Sequence, residues 1–286
     1  MDTNAMPRYQ LRRIGVARLA MVCAFTLILA PALARADEAK KPRAIRVAIY
    51  AGEGVSKGDP AQVEACLAEA KGFKVKTVSA KEIRDGDLEK YDVLIHPGGS
   101  GSGQAKALSD EGRQRVRQFV ERGGGFVGIC AGAYLASAEY PWALKLLDAR
   151  VVDDEHWARG VGEVKLRFPS AGRDALGTDQ ETEAMCYENG PLLGPANNGD
   201  IPDFESLATF ETEIRKNDAP IGVMKGTTAI ARGEFGKGRV VCFSPHPEKT
   251  RGRESYVSEM VSWAANSLSS RGVSIRSSQP QSGDSQ

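Results

Sequence analysis

The body of the chain has no run of basic residues, and the formal net charge over 286 residues is only +1. That removes the electrostatic case for a nucleic-acid partner. Histidine is scarce, with three residues in all, so any base-catalysed chemistry has few side chains to draw on. No internal repeat is visible, so a repeat architecture is not expected. Long apolar runs are confined to one near the N-terminus. What remains is ordinary for a globular protein: 41% hydrophobic and 26% charged residues, in a length that suits one large domain or two small ones.

The single long apolar run has a specific setting. Arg8, Arg12, Arg13 and Arg18 precede it, Leu19 to Leu33 is apolar except for Thr26, and Ala34-Arg35-Ala36 supplies small residues at cleavage-site spacing. This pattern predicts a secretory signal peptide over residues 1–36, cut after Ala36. The run falls short of the roughly 20 residues that span a bilayer, so no stable membrane anchor is expected after cleavage. Cys23 lies in the middle of the run, which argues against a lipid anchor. The expected product carries a net charge of −3 and is secreted or periplasmic.

Four cysteines follow the predicted cleavage point: Cys66, Cys130, Cys186 and Cys242. An even number in an oxidising compartment invites disulfides. Cys66 shares a helical face with Val63 and Leu67, and Cys242 lies within the apolar run Val240 to Phe243. Both therefore read as buried free thiols, and a chain of this length buries enough surface without staples. The pairing of Cys66, Cys186 and Cys242 stays open.

After a linker at 37–42, apolar β-rich runs alternate with helical segments. Strands are expected at Ala44 to Tyr50, Phe73 to Val78, Tyr91 to His96 and Phe126 to Ile129. A helix is expected from Asp59, read as its N-cap with Pro60 following, and ends at Gly72. A second starts at Ser109 and ends at Gly123-Gly124-Gly125. Such alternation predicts an α/β fold, a three-layer sandwich around a mostly parallel sheet, with ligands at the carboxyl ends of the strands. Residues 140–225 are less regular, with one strand expected at Val161 to Phe168 and a long loop at Asn189 to Asp203. Thr227 to Glu234 and Arg239 to Phe243 read as a hairpin around Gly236-Lys237-Gly238. A final helix covers Glu254 to Leu268. The folded domain is thus expected over 43–268, with a disordered Ser- and Gln-rich tail at 269–286.

Three local patterns carry chemistry. Gly128-Ile129-Cys130-Ala131-Gly132 places a cysteine between a strand and a helix, with small residues on either side, as in a nucleophile elbow. A helix N-terminus aimed at the sulfur favours thiolate, and its first amides point where an oxyanion would form. The plain alternative is a structural cysteine in a glycine-rich turn. Ser244-Pro245-His246-Pro247-Glu248 ends an apolar strand and supplies a base and an orienting carboxylate. Pro97-Gly98-Gly99 offers amides free of side chains, or only a tight turn.

These motifs, in this order, resemble the class I glutamine amidotransferase-like superfamily, whose sheet is flavodoxin-like. Tyr50 to Ser56, Gly128 to Tyr134, Trp157 to Gly160 and Tyr187 to Pro191 are similar to the subgroup typified by the N-terminal domain of biotin–protein ligase. The resemblance implies Cys130 as nucleophile, His246 as base and Glu248 as its orienter. It implies an oxyanion hole from the Gly99 and Ala131 amides, and a pocket lined by Gly98, Tyr187, Asn189 and Gly190. The chain carries neither a synthetase partner domain nor a biotin ligase catalytic domain. Hydrolysis of an amide-type small molecule by a Cys-His-Glu triad is therefore expected, rather than ammonia transfer or biotin ligation. A catalytically inactive small-molecule binding module is the alternative. No cofactor or metal is expected. Asp153-Asp154-Glu155-His156 reads as a solvated acidic loop, because adjacent residues rarely converge on one ion, and His96 reads as a structural histidine.

Overall fold

The computed structural model describes residues 43–265. The signal segment 1–36, the linker 37–42 and the tail 269–286 lie outside the described residues. In chain order the elements are β1 (Ile45–Tyr50), α1 (Asp59–Glu69), β2 (Phe73–Val78), α2 (Ala80–Arg84), β3 (Val93–His96), α3 (Gly101–Glu121), β4 (Gly125–Ile129), α4 (Ala131–Ala136) and β5 (Ala149–Val151). Then come β6 (Val161–Arg167), α5 (Ser170–Leu176), β7 (Thr182–Glu188), β8 (Leu193–Pro195), β9 (Glu205–Phe210), β10 (Thr228–Phe235), β11 (Gly238–Phe243) and α6 (Ser255–Ala265).

One large sheet organises them, in the order β2-β1-β3-β4-β11-β10-β9-β6-β7. From β2 to β11 every pairing is parallel. The hairpin between β10 and β11 reverses direction, and β10, β9, β6 and β7 continue antiparallel. The expectation of a mostly parallel sheet thus describes one half of it. Tight glycine turns and buried β-branched runs identify the parallel half, whereas the other half shows the one-sided burial of antiparallel strands. β7, for example, alternates buried and part-exposed residues along its length.

Side-chain alternation along the parallel strands builds two cores, one on each face. Val47, Ile49, Val127, Ile129 and Val241 pack with Val63 and Leu67 of α1 and with Val257 and Met260 of α6. Ala48, Tyr50, Leu94, Phe126 and Val240 pack with Ile83 of α2, Val116 and Val120 of α3 and Leu135 of α4. Helices therefore cover both faces of an α/β fold. Cys66 and Cys242 sit fully inside these cores and, with Cys130 and Cys186, are unpaired thiols. At the amino ends of β1 and β3, the buried Asp92 carboxylate accepts bonds from Arg43 and Arg46.

Two local expectations are corrected. Gly58, in a left-handed conformation, precedes α1, and no side chain caps that helix. Asp59 is its first residue, and its carboxylate is buried against Lys249 instead, 3.1 Å away. Ser109 does not open a helix. Helix α3 is capped by Ser100, whose hydroxyl accepts from the Gly103 amide at 3.0 Å, and Ser109 marks a kink inside it at φ 60° and ψ 179°. The stretch 140–225 holds β5, α5, β7, β8 and β9 beyond the one strand expected there. Among the described residues no helix is long and apolar enough to cross a membrane.

Candidate functional site

Strands β3, β4 and β11 run side by side and end together, which brings three distant loops to one edge of the sheet. Cys130 follows β4 at φ 51° and ψ −100°. This is a conformation that non-glycine residues rarely adopt, of a kind that costs of order 1–3 kcal/mol and persists where the surroundings over-determine it. Its own amide is the anchor, donating to the Phe243 carbonyl of β11 at 2.8 Å, while its carbonyl accepts from Ala133 and Tyr134 in α4. The side chain is 5% exposed. Its Sγ donates to the Glu188 carbonyl at 3.3 Å.

His246 follows β11 and is fixed from three directions. Its amide donates to the Cys186 carbonyl at 2.8 Å, and its carbonyl accepts from the Thr250 hydroxyl at 2.7 Å. The ring nitrogen Nδ1 lies 2.6 Å from Glu248 Oε1 inside the protein. With the carboxylate accepting at Nδ1, Nε2 is the edge left for chemistry. His246 lines the cleft beside Cys130, and its Nε2 is buried without a well-aligned hydrogen bond. Burial opposes charge on this ring, but Cys130 beside it and Glu248 behind it outweigh burial and push its pKa up to about 10.

The loops before α3 supply the remaining wall. Residues 54–56 pair with 98–100: Ser56 N–H donates to the Gly98 carbonyl and Ser100 N–H to the Gly54 carbonyl. Gly99 sits at the non-hydrogen-bonded position of this bridge opposite Val55, so its amide stays outside the pairing. Gly99 lines the cleft. Ala131 starts α4, where a first-turn amide has no intrahelical acceptor.

The cleft itself has a volume of about 460 Å³. Cys130, His246, Gly99, Glu188 and Asn189 form its floor, and Tyr134, Tyr140, Trp142 and Trp157 line it with aromatic surface. The segments 157–160 and 187–191 meet directly here. Asn189 Oδ1 accepts from Gly160 N–H at 2.7 Å, and Asn189 N–H donates to the Gly160 carbonyl at 3.1 Å. The Tyr134 hydroxyl closes the ring by donating to the Asn189 carbonyl at 3.1 Å.

The residues singled out in the sequence are thus distributed as follows. Cys130, His246, Glu248, Gly99 and Ala131 come together, and Asn189 lines the cleft. Gly98 lies beneath the His246 ring, where a Cβ would stand 2.9 Å from Cε1. Tyr187 is fully buried behind the wall, its hydroxyl donating to the Gly190 carbonyl at 2.7 Å, and Gly190 is buried against Ser244. Tyr187 and Gly190 support the pocket wall and do not line the cleft. In the acidic loop, His156 Nδ1 lies 2.5 Å from Asp153 Oδ1, and buried Arg159 pairs with the same carboxylate. His96 is buried between Tyr50 and Phe126.

Three charged residues at the site have no role in it on the sequence alone: Asp59 reads there as a helix cap, Glu188 only as part of the segment 187–191, and Lys249 is not singled out. Lys249 Nζ lies 2.7 Å from Glu188 Oε2 and 3.1 Å from Asp59 Oδ1. Glu188 Oε2 in turn lies 3.9 Å from His246 Nε2. Burial works against charge on Glu188, but Lys249 and then His246 hold its carboxyl below the usual range. The position of Lys249, directly after His-Pro-Glu, was the one local signal for it. Donor atoms of Asp59, His246 and Glu248 lie within 4.8 Å of one another, as metal ligands would. Two of these three are already engaged in the Nδ1 hydrogen bond, and Asp59 is paired with Lys249.

Comparison with known proteins locates this chain broadly. The family model for the N-terminal region of biotin–protein ligase matches residues 45–158. The match contains Cys130 but neither His246 nor Glu248. A biotin–protein ligase of Schizosaccharomyces pombe is 26% identical over 229 residues, covering 71% of this chain and 33% of that protein. The chain thus spans about a third of that relative's length. Among solved structures, a protein from Parabacteroides merdae described as ThuA-like superposes with a TM-score of 0.55 at 13% identity, covering 78% of this chain and 90% of that one. One from Bacteroides uniformis, described in the same words, gives 0.52 at 15% identity over 79% and 92%. At such identities the likeness is one of fold.

Proposed function

We propose that this protein is a cysteine-dependent hydrolase of the class I glutamine amidotransferase-like superfamily, with a flavodoxin-like sheet and a Cys130-His246-Glu248 triad acting on an amide-type small molecule. The observation that carries the reading is the left-handed Cys130 at a strand-to-helix turn, facing an imidazole whose far nitrogen is held by a buried carboxylate.

The chemistry follows from those positions. The Cys130 thiolate attacks the substrate carbonyl carbon, and the Gly99 and Ala131 amides donate to the oxygen on which negative charge develops. The C–N bond then breaks as His246 gives its proton to the leaving nitrogen, leaving an acyl group on sulfur. Water attacks that thioester while His246 takes its proton, the C–S bond breaks, and a carboxylic acid leaves. Glu248 holds the ring throughout. Residues 1–36 direct export on this reading, and the substrate is met outside the cytoplasm.

A catalytically inactive binding module is the second reading. It is favoured by the Cys130 Sγ, which donates to the Glu188 carbonyl at 3.3 Å in place of a well-aligned hydrogen bond to His246 Nε2. Open geometry of this kind is common in unliganded enzymes.

Iodoacetamide labelling against pH, with the modified residue mapped by mass spectrometry, separates the two. The hydrolase reading requires Cys130 to label at neutral pH roughly tenfold or more faster than an ordinary thiol, and His246→Ala to abolish the advantage. Labelling at an ordinary rate, or indifference to His246→Ala, leaves only the binding module.

A further inference from the structure

The cleft beside Cys130 has an uneven charge. No lysine or arginine lines it among the described residues, whereas Asp154 and Glu188 both do. Glu188 is neutralised by Lys249 at 2.7 Å. Asp154 is exposed and makes no ion pair or hydrogen bond among the described residues. It stands near enough to Tyr140 to add, after burial, to the forces that push that hydroxyl up to about 12.

The aromatic surface is arranged to meet a flat or charged group. Tyr140 and Trp142 stack with centroids 4.6 Å apart and planes 8° from parallel, and Tyr134 lies 6.2 Å from Tyr140 on the side of the nucleophile. Trp157 is 56% exposed, although it is among the largest apolar side chains of the protein. Into the same space His246, 1% exposed, turns Nε2, which lies 3.9 Å from Glu188 Oε2 and makes no well-aligned hydrogen bond. An unmet hydrogen-bonding group at the floor, aromatic faces along the wall and a free carboxylate beside them describe a site for one ligand.

We propose that the cleft takes an amide bearing a cationic group, an ammonium or guanidinium, held between Asp154 and the faces of Tyr140, Trp142 and Trp157 while the scissile carbonyl sits at Cys130. The proposal rests on the amide-hydrolase reading and names its substrate class. A cation gains from both the ring quadrupoles and the carboxylate. An anion gains from neither and faces the unpaired Asp154 carboxylate, since Glu188 alone has its counter-charge in Lys249. A neutral chain gains only the stacking surface. The distinction is therefore one of charge at equal size.

Calorimetry on the full chain carrying Cys130→Ser tests this without turnover. The probes are 6-aminohexanamide, hexanamide and the monoamide of adipic acid, which share a chain length and differ in terminal charge. The cationic amide is expected to bind about tenfold tighter than the neutral one, and the anionic amide weakest. Asp154→Asn and Trp157→Ala should each bring the cationic and neutral amides towards one affinity, and added salt should shrink the preference. Equal affinities, tightest binding of the anion, or no binding of 6-aminohexanamide overturns the proposal. Because binding is read in a variant that cannot react, slow labelling of Cys130 in the wild type sinks hydrolysis alone.

Discussion

The carbonyl oxygen of His96 stands 2.0 Å from the point a Cβ on Gly132 would occupy. The first turn of α4 therefore lies directly on the end of β3, and Cys130, which opens α4, inherits its position from that contact. Gly132→Ala must push the helix off the strand. We expect a loss of about 2 kcal/mol in urea unfolding together with slower alkylation of Cys130. Unchanged alkylation in a folded variant contradicts the link between this contact and the site.

Cys130 itself is held at φ 51°. Glycine takes such a conformation without the Cβ penalty. Cys130→Gly and Cys130→Ala both delete the buried side chain, but only alanine keeps the Cβ at this φ, so the glycine variant should be the more stable of the two by about 1 kcal/mol. A higher urea midpoint for Cys130→Gly than for Cys130→Ala at equal slope is the expected readout, and a lower one contradicts a strained backbone at Cys130.

Glu248 has a separable effect on His246. Its carboxylate helps raise that pKa to about 10, so the stability contributed by protonating this ring is present in full below about 6.5 and is lost as pH rises through 10. Glu248→Gln removes the negative charge while keeping an acceptor at Nδ1. The His246 titration followed by NMR should then move down by at least about one unit, and the loss of stability should begin at correspondingly lower pH. An unmoved titration contradicts the orienting role.

His96 behaves in the opposite sense. Its Nδ1 faces Gln104 Oε1 at 2.8 Å, and Gln104 Nε2 donates to the Pro97 carbonyl at 2.9 Å. That orientation of the amide makes Nδ1 the protonated nitrogen of a neutral ring. Burial lowers the pKa to about 4, although Gln104 pulls the other way. Between pH 6.5 and 4 the unfolded chain therefore takes up a proton that the folded chain refuses, and stability falls as pH falls. His96→Gln should be less stable at pH 7 yet lose less across that window, by up to ~3 kcal/mol. Parallel losses in both proteins contradict this assignment.

The parallel half of the sheet was legible because its strands are short apolar runs closed by glycine turns, and the order of Pro97-Gly98-Gly99, Cys130 and His246 followed from it. The antiparallel half was less so. Strands such as Thr182–Glu188 and Glu205–Phe210 carry polar residues on one face, and in isolation such segments resemble loops. The Thr228–Phe235 and Gly238–Phe243 hairpin was the exception, because its turn residues announce it. At the site, Asp59 looked like a helix cap because Asp-Pro suits that position locally. Its partner is Lys249, far away in sequence, and no local pattern reports such a pairing. Glu188 lay within the segment 187–191 expected at the pocket, but its own contact with Cys130 was hidden for the same reason, since it spans 58 residues.

The pairing of β4 with β11 also sets an order of events during folding. Cys130 and His246 are separated by 116 positions, and the amide of one elbow hangs on the last residue of the other strand. Contacts at such separation form late, because a long loop must close before they contribute. A chain still missing its final strands holds an ordinary cysteine with no base beside it. On the hydrolase reading, an activated thiolate at Cys130 is then a property that only the completed sheet confers, and a partly folded or truncated chain offers no more than an ordinary thiol.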